Sequence, residues 1–129
     1  GVKVYGAETY AIPSMFESVM MGKRERVAPK PTIADGMQAA IPGELTFEAT
    51  RRLVDKIGLV GDGELEDAVY ELLTLARVLA EPSGASPLAA MKGPLKEEPG
   101  QKLALVISGG NISVDLLRSI LMRRAKGNS

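Results

Sequence analysis

The stretch Lys102-Leu103-Ala104-Leu105-Val106-Ile107-Ser108-Gly109-Gly110-Asn111 decides how this chain is read. Leu103 to Ile107 is an unbroken apolar run, as expected of a fully buried strand in a parallel sheet. It stops on a small hydroxyl and two glycines, and a helix signal follows at Ser113. In open α/β sheets, ligands gather at the carboxyl ends of strands, where such turns point backbone N–H groups at the bound molecule. Ser108 then stands where a side chain meets a ligand, with Gly109 and Gly110 leaving room for it. The same residues also suit an ordinary strand-to-helix turn that uses glycine for its backbone angles. Local sequence leaves both readings open.

Composition narrows the chemistry. A chain of 129 residues suits one domain. Sixteen basic residues balance sixteen acidic ones, so no net field favours nucleic acid or an anionic membrane. There is no cysteine, which excludes a disulfide framework, a thiol nucleophile and thiolate metal sites. There is no histidine either, so the usual general base near neutral pH is missing. Chemistry here rests on carboxylates, hydroxyls, lysines, backbone groups or a cofactor. No apolar run approaches the ~20 residues of a membrane span and no signal peptide opens the chain, so the expected compartment is the cytoplasm.

Upstream, Val2 to Ala7 alternates and is rich in β-formers, which predicts a strand ending near Glu8. Pro13 suits the start of a helix with Met15, Phe16, Val19 and Met20 on its apolar side. Gly22 to Lys30 reads as an exposed loop. Leu45 to Asp55 predicts a short helix with Thr46 as its cap. Lys56 to Val60 predicts a second strand. Asp62 is the expected cap of a helix whose buried stripe runs Leu65, Ala68, Val69, Leu72, Leu73, Ala76 and Leu79. Glu81-Pro82-Ser83-Gly84-Ala85 is a break before a small-residue helix through Leu88 to Met91. Gly93 to Gly100 reads as a charged surface loop. Ser113 caps a last helix with Leu117, Ile120 and Leu121 inward, and Arg118, Arg123, Arg124 and Lys126 favour its negative pole.

Three strands separated by helices predict an α/β parallel-sheet layer with flanking helices. Three parallel strands leave two open edges and little core. The chain also opens at Gly1 directly into a strand pattern. Residues 1–129 are therefore expected to form one incomplete α/β domain, a piece of something longer.

Thr32-Ile33-Ala34-Asp35-Gly36, Glu81-Pro82-Ser83-Gly84-Ala85 and Ser108-Gly109-Gly110-Asn111 follow one another in this order, with Gly6-Ala7-Glu8 after the first strand and Val54-Asp55 at a helix end. Together these motifs resemble the C-terminal part of threonine dehydratases and serine racemases, which are fold type II pyridoxal-phosphate enzymes. The resemblance runs from Val2 to about Leu121. It implies that the chain is the C-terminal part of the large, cofactor-binding domain.

It also implies roles. Ser108 would hydrogen-bond the pyridine nitrogen of pyridoxal phosphate. A neutral hydroxyl does not stabilise a protonated ring nitrogen as an opposite charge does, which favours β-elimination over transamination. Asp35 and Gly36 would border the cofactor, Glu81 would face the ring, and Gly109 to Asn111 would shape the turn. The resemblance further suggests a divalent cation, Mg²⁺ or Ca²⁺, held by Glu8, the Ile12 carbonyl and Ser14. One carboxylate and a hydroxyl make a poor set for such hard cations.

Two family features are missing. None of Lys3, Lys23, Lys30, Lys56, Lys92, Lys96, Lys102 and Lys126 lies in the Ser-Phe-Lys-x-Arg-Gly-Ala-like motif of the Schiff-base lysine, and no run of three glycines offers a phosphate cup. No catalytic residue is therefore expected in this chain. The leading expectation is part of a threonine/serine dehydratase, a lyase that eliminates and deaminates a hydroxy amino acid to a 2-oxo acid and ammonia. The missing N-terminal half would bring the lysine, and the whole would be a homo-oligomer, dimer or tetramer. One chain of a split enzyme, and a non-catalytic α/β binding or interaction module, are the alternatives.

Overall fold

The computed structural model describes residues 1–126, apart from the Lys126 side chain, whose expected role lies outside the described part. In chain order the elements are β1 (Tyr5–Thr9), α1 (Ser14–Met21), a 3-10 turn (Asp35–Met37), α2 (Glu44–Leu53), β2 (Lys56–Val60), α3 (Asp62–Thr74), α4 (Pro82–Lys92) and α5 (Val114–Lys126). β1 and β2 pair in parallel, with Tyr5 opposite Lys56 and Thr9 opposite Val60. The α/β class expected from the sequence is present, as a two-stranded parallel sheet with flanking helices.

The largest departure from the expected fold lies at Leu103 to Ile107. Leu103 to Ile107 does not form a strand, and Leu103 and Val106 are 55% and 75% exposed. An apolar run reports what a segment is built to bury, while a strand also needs a hydrogen-bonded neighbour. Among the described residues, no backbone group of residues 102–108 bonds to another strand. The third strand has its sequence and lacks its partner.

β1 begins later than the alternation suggests. Val4 is instead tied to Asp55, whose Oδ2 accepts the Val4 N–H at 2.8 Å while the Val4 carbonyl accepts the Asp55 N–H at 2.8 Å. In α1 Met15, Phe16 and Val19 of the expected apolar stripe are half-buried, while the deepest positions are serines. Ser14 and Ser18 are buried and Met20 is 70% exposed. Hydrogen bonds make this burial tolerable: the Ser14 hydroxyl donates to the Ala39 carbonyl and that of Ser18 to the Ser14 carbonyl, each at 2.6 Å. Thr46 does not cap α2. Gly43 takes that place, and the Thr46 hydroxyl donates to its carbonyl at 3.0 Å.

The stripe of α3 also stops early, at Leu72. Leu75, Ala76 and Leu79 are exposed. Past the end of α3, Arg77 turns left-handed at φ 60°, and the Val78 N–H reaches back to the Leu72 carbonyl at 2.8 Å, which folds the chain away from the helix axis. The Glu81–Ala85 stretch is a helix start and not a break. Pro82 occupies the first helical position, where a missing N–H costs nothing, so α4 already includes it. Pro87 falls inside α4, and the carbonyl it leaves without a backbone donor, that of Ser83, is taken by the Ser86 hydroxyl at 2.8 Å. Ser113 caps α5 as expected, its Oγ accepting the Leu116 N–H at 3.2 Å.

The core sits between the sheet, α3, α4 and α5, around the fully buried Val60, Leu65, Val69 and Ile120. Gly58 lets the loop after α4 close on the sheet, because a Cβ there would stand 2.6 Å from Leu95 Cγ. Leu95 thereby becomes core inside a stretch that reads as surface. Arg123 and Arg124 do not serve only the pole of α5. They cross to α3, where Arg123 Nη2 meets Glu66 Oε1 at 2.5 Å and Arg124 Nε lies 3.1 Å from Asp67 Oδ1.

Glu8, at the end of β1, caps α1 from a distance. Its two carboxylate oxygens accept the N–H groups of Met15 and Phe16, each at 2.9 Å. Burial pushes the Glu8 carboxyl above its usual value of 4.5, against those two donors. The folded state therefore holds this proton to higher pH than the unfolded chain. The stability so gained is full below about 4.5 and is lost as pH rises through the raised value. Glu8→Gln removes this titration. The melting-temperature difference between wild type and Glu8→Gln should shift against the wild type from about pH 4 to about pH 7. A shift in favour of the wild type would mean that the ionised carboxylate is the stabilising form.

Candidate functional site

Three loops converge on the amino end of α4. The first is Thr32–Gly36. Asp62, just past the carboxyl end of β2, anchors it: the Thr32 hydroxyl donates to Asp62 Oδ1 at 2.5 Å and the Ile33 N–H to Oδ2 at 3.2 Å. Gly36 is held at its other end, its N–H donating to Ser83 Oγ at 2.9 Å. A side chain on Gly36 would come within 3.0 Å of Ser83 and 3.6 Å of Glu81 Oε1. Asp35 points into the open beside it, and its Oδ1 accepts from Gln38 Nε2 at 3.1 Å.

Ser108–Asn111 is the second loop and Glu81 leads the third. The Glu81 N–H donates to the Gly109 carbonyl at 2.9 Å, and Glu81 Oε2 accepts the Asn111 N–H at 3.0 Å. The approach is closer still at Gly84, where a Cβ would stand 2.6 Å from the Gly109 carbonyl oxygen and 2.8 Å from its nitrogen. A Cβ on Gly109 would meet Glu81 Oε1 at 2.5 Å. These glycines are required by contact, since neither has a positive φ. Gly110 has less contact, with the Leu79 carbonyl oxygen 3.0 Å from where its Cβ would be.

Gly36, Glu81, Gly109 and Asn111 are therefore brought together, with Asp35 and Ser108 on the rim. Ser108 is exposed, and among the described residues its hydroxyl has no hydrogen-bond partner. That hydroxyl, at the end of an extended segment, is free to give or take one hydrogen bond. Glu8, Ile12 and Ser14 form a separate group at the start of α1. Both Glu8 oxygens are engaged by N–H groups, the Ile12 carbonyl accepts the Ser14 N–H at 2.9 Å, and the Ser14 hydroxyl goes to Ala39. This set offers a cation one charge and does not suit Mg²⁺ or Ca²⁺, which prefer several hard oxygens. Among the described residues no cluster of three or more acidic side chains is placed for a metal.

Three contributors escape the sequence reading. Asp62 reads as a helix cap, yet Gly61 caps α3, with Glu64 Oε2 accepting its N–H at 2.6 Å, and the Asp62 carboxylate is free to hold Thr32 and Ile33. Ser83 and Gly84 lie inside a quoted motif with no role attached. A glycine in the first turn of a helix, where it costs helix propensity, is a signal of close packing.

A family model for pyridoxal-phosphate dependent enzymes matches residues 1–109. The chain belongs to that family. Among relatives, the L-threonine ammonia-lyase of Thermotoga maritima is 45% identical over 120 residues, covering 93% of this chain and 30% of its own length. Among solved structures, the threonine deaminase of T.th. superposes with a TM-score of 0.79 at 37% identity, over 86% of this chain and 40% of its own. Maize serine racemase gives 0.81 at 30% identity, over 95% and 40%. The chain thus spans less than half of each of these proteins. The resemblance to threonine dehydratases and serine racemases read from four motifs holds across nearly the whole chain.

The Gly84–Gly109 contact gives a direct test of the site's frame. At an ordinary helical position, Gly→Ala stabilises by up to about 1 kcal/mol. Here Gly84→Ala should destabilise by about 1–3 kcal/mol, because the added methyl meets backbone and not a movable side chain. Urea unfolding measures it, and an unchanged or raised stability would show that the two backbones are not held so close.

Proposed function

We propose that this chain forms the wall that receives the pyridine end of pyridoxal phosphate in an enzyme that deaminates threonine or a similar hydroxy amino acid. The observation that carries the reading is the unpartnered Ser108 hydroxyl, at the end of an extended segment whose next residue is fastened to α4 by Glu81. The cofactor, when bound, supplies the electron sink that lets a hydroxy amino acid lose its α-proton and β-hydroxyl. Every other role proposed for this chain is one of holding.

Ser108 sets the ring's angle with one neutral hydrogen bond and adds no charge beside the ring nitrogen. Glu81 keeps Gly109 and Asn111 in register, so that Ser108 has a fixed position. Gly36 and Asp35 border the ring on a loop fastened at Asp62 and Ser83. The lysine that removes the α-proton and the cup for the phosphate come from the part of the enzyme outside this chain. The β-hydroxyl leaves as water, and hydrolysis of the resulting enamine releases ammonia and a 2-oxo acid. Threonine is the first substrate to test, because the relative 45% identical is a threonine ammonia-lyase. By the same resemblance the assembled enzyme is a homo-oligomer of two or four subunits.

The complete gene product should take up pyridoxal phosphate and form a 2-oxo acid from threonine. Ser108→Ala should weaken cofactor binding roughly threefold to tenfold, the worth of one neutral hydrogen bond, in a fluorescence titration, and should slow 2-oxo acid formation. Equal cofactor affinity in the variant, or no cofactor binding by the wild type, would refute this assignment.

A further inference from the structure

The amino ends of two helices frame the candidate site, and a third helix joins them. At the start of α4, Glu81 and Ser83 hold Asn111 and Gly36. At the start of α3, Asp62 holds Thr32 and Ile33. α5 begins at Val114, three residues after Asn111, and its last turn reaches the start of α3. With 13 residues it is about 20 Å long. The Thr32–Gly36 loop and α5 therefore span the same two helix ends.

Asp62 is poorly held by its own chain, because it stands between Gly61 and Gly63 and glycine restricts the backbone least. Two side chains supply the missing restraint. Glu64 Oε2 accepts the Gly61 N–H at 2.6 Å on one side. Arg124 Nη2 donates to the Gly63 carbonyl at 2.8 Å on the other. The Arg124 guanidinium is itself fixed by carboxylates of α3, with Nη2 3.3 Å from Glu66 Oε2 and Nε 3.1 Å from Asp67 Oδ1. Arg123 holds the same Glu66 with two nitrogens, Nε at 3.2 Å from Oε2 and Nη2 at 2.5 Å from Oε1. The Glu66 side chain is only 13% exposed, so salt screens this pairing less than it does a surface ion pair. We infer that Arg124 is a positioning residue for the loop that borders the cofactor. Arg124 fixes Gly63, Gly63 sets the aim of Asp62, and Asp62 holds Thr32 and Ile33. The cofactor side of this inference rests on the function proposed above, while the hold on the loop stands without it.

Amide hydrogen exchange on the complete gene product, without added cofactor, tests the relay. The Ile33 and Ala34 amides donate to Asp62 Oδ2 and Thr32 Oγ1. In Arg124→Met they should exchange about tenfold faster than in wild type, with the Val69 and Leu72 amides inside α3 unchanged. Equal acceleration at all four amides would show a loss of overall stability alone. No acceleration at Ile33 and Ala34 would show that Asp62 is held without Arg124. Either result overturns the inference. Should Arg124→Met not fold, Arg124→Lys keeps the charge but not the planar fork, and should give the same pattern at smaller size. In a cofactor titration, Arg124→Met should weaken binding about threefold to tenfold. Thr32→Val in that background should add less than about twofold, because both changes act on one chain of contacts. Unchanged affinity, or independent losses that multiply, would overturn the route through Asp62 to the cofactor. If the wild type takes up no cofactor, the proposed function fails, and the exchange rates still decide whether Arg124 holds the loop.

Discussion

Two backbones meet where α4 begins, and the geometry of the candidate site depends on that contact. Gly84 approaches the Gly109 backbone so closely that it can carry no side chain there, and a Cβ on Gly109 would meet the Glu81 side chain. Glu81 then fastens the Gly109–Asn111 turn with its own N–H and with one carboxylate oxygen. A neutral backbone bond is worth about 1 kcal/mol and one to a carboxylate about 2 kcal/mol. Together they are a large share of the marginal stability of a small domain. Without that clamp, Ser108 would sit at the tip of an untethered segment, since residues 102–108 have no strand pairing of their own.

The second fastening works from the sheet side. β2 ends at Val60, and Asp62 follows with its carboxylate turned to Thr32 and Ile33. Ser83 catches the same loop at Gly36. One helix end therefore gathers a loop from before β2 and a turn from after α4, at the carboxyl side of the strands. That is the edge where open α/β sheets receive ligands. The family match and the superposition on threonine deaminase agree with this placement of the fold.

Much of this was legible in the sequence, where the signal is local. β2, the start of α3 and the Ser113 cap of α5 follow from period, charge and cap chemistry within a few residues. The ordered glycine motifs located four of the residues that meet at the site. What failed depends on partners distant in sequence. Leu103–Ile107 carries the apolar run of a buried strand, yet among the described residues it pairs with no strand and Leu103, Leu105 and Val106 are exposed. The buried serines of α1 are made acceptable by the Ala39 and Ser14 carbonyls, which no helical period reveals. Asp62 looks like a cap from its position alone, and only the fold shows Thr32 beside it.

The most direct measurement is a crystal structure of the complete protein with pyridoxal phosphate bound. The expected result puts Ser108 Oγ within about 2.7–3.2 Å of the pyridine nitrogen, with Glu81 still holding Gly109 and Asn111. A ring nitrogen that faces a carboxylate, or a cofactor seated away from the amino end of α4, would contradict the role given to Ser108 and to the clamp behind it.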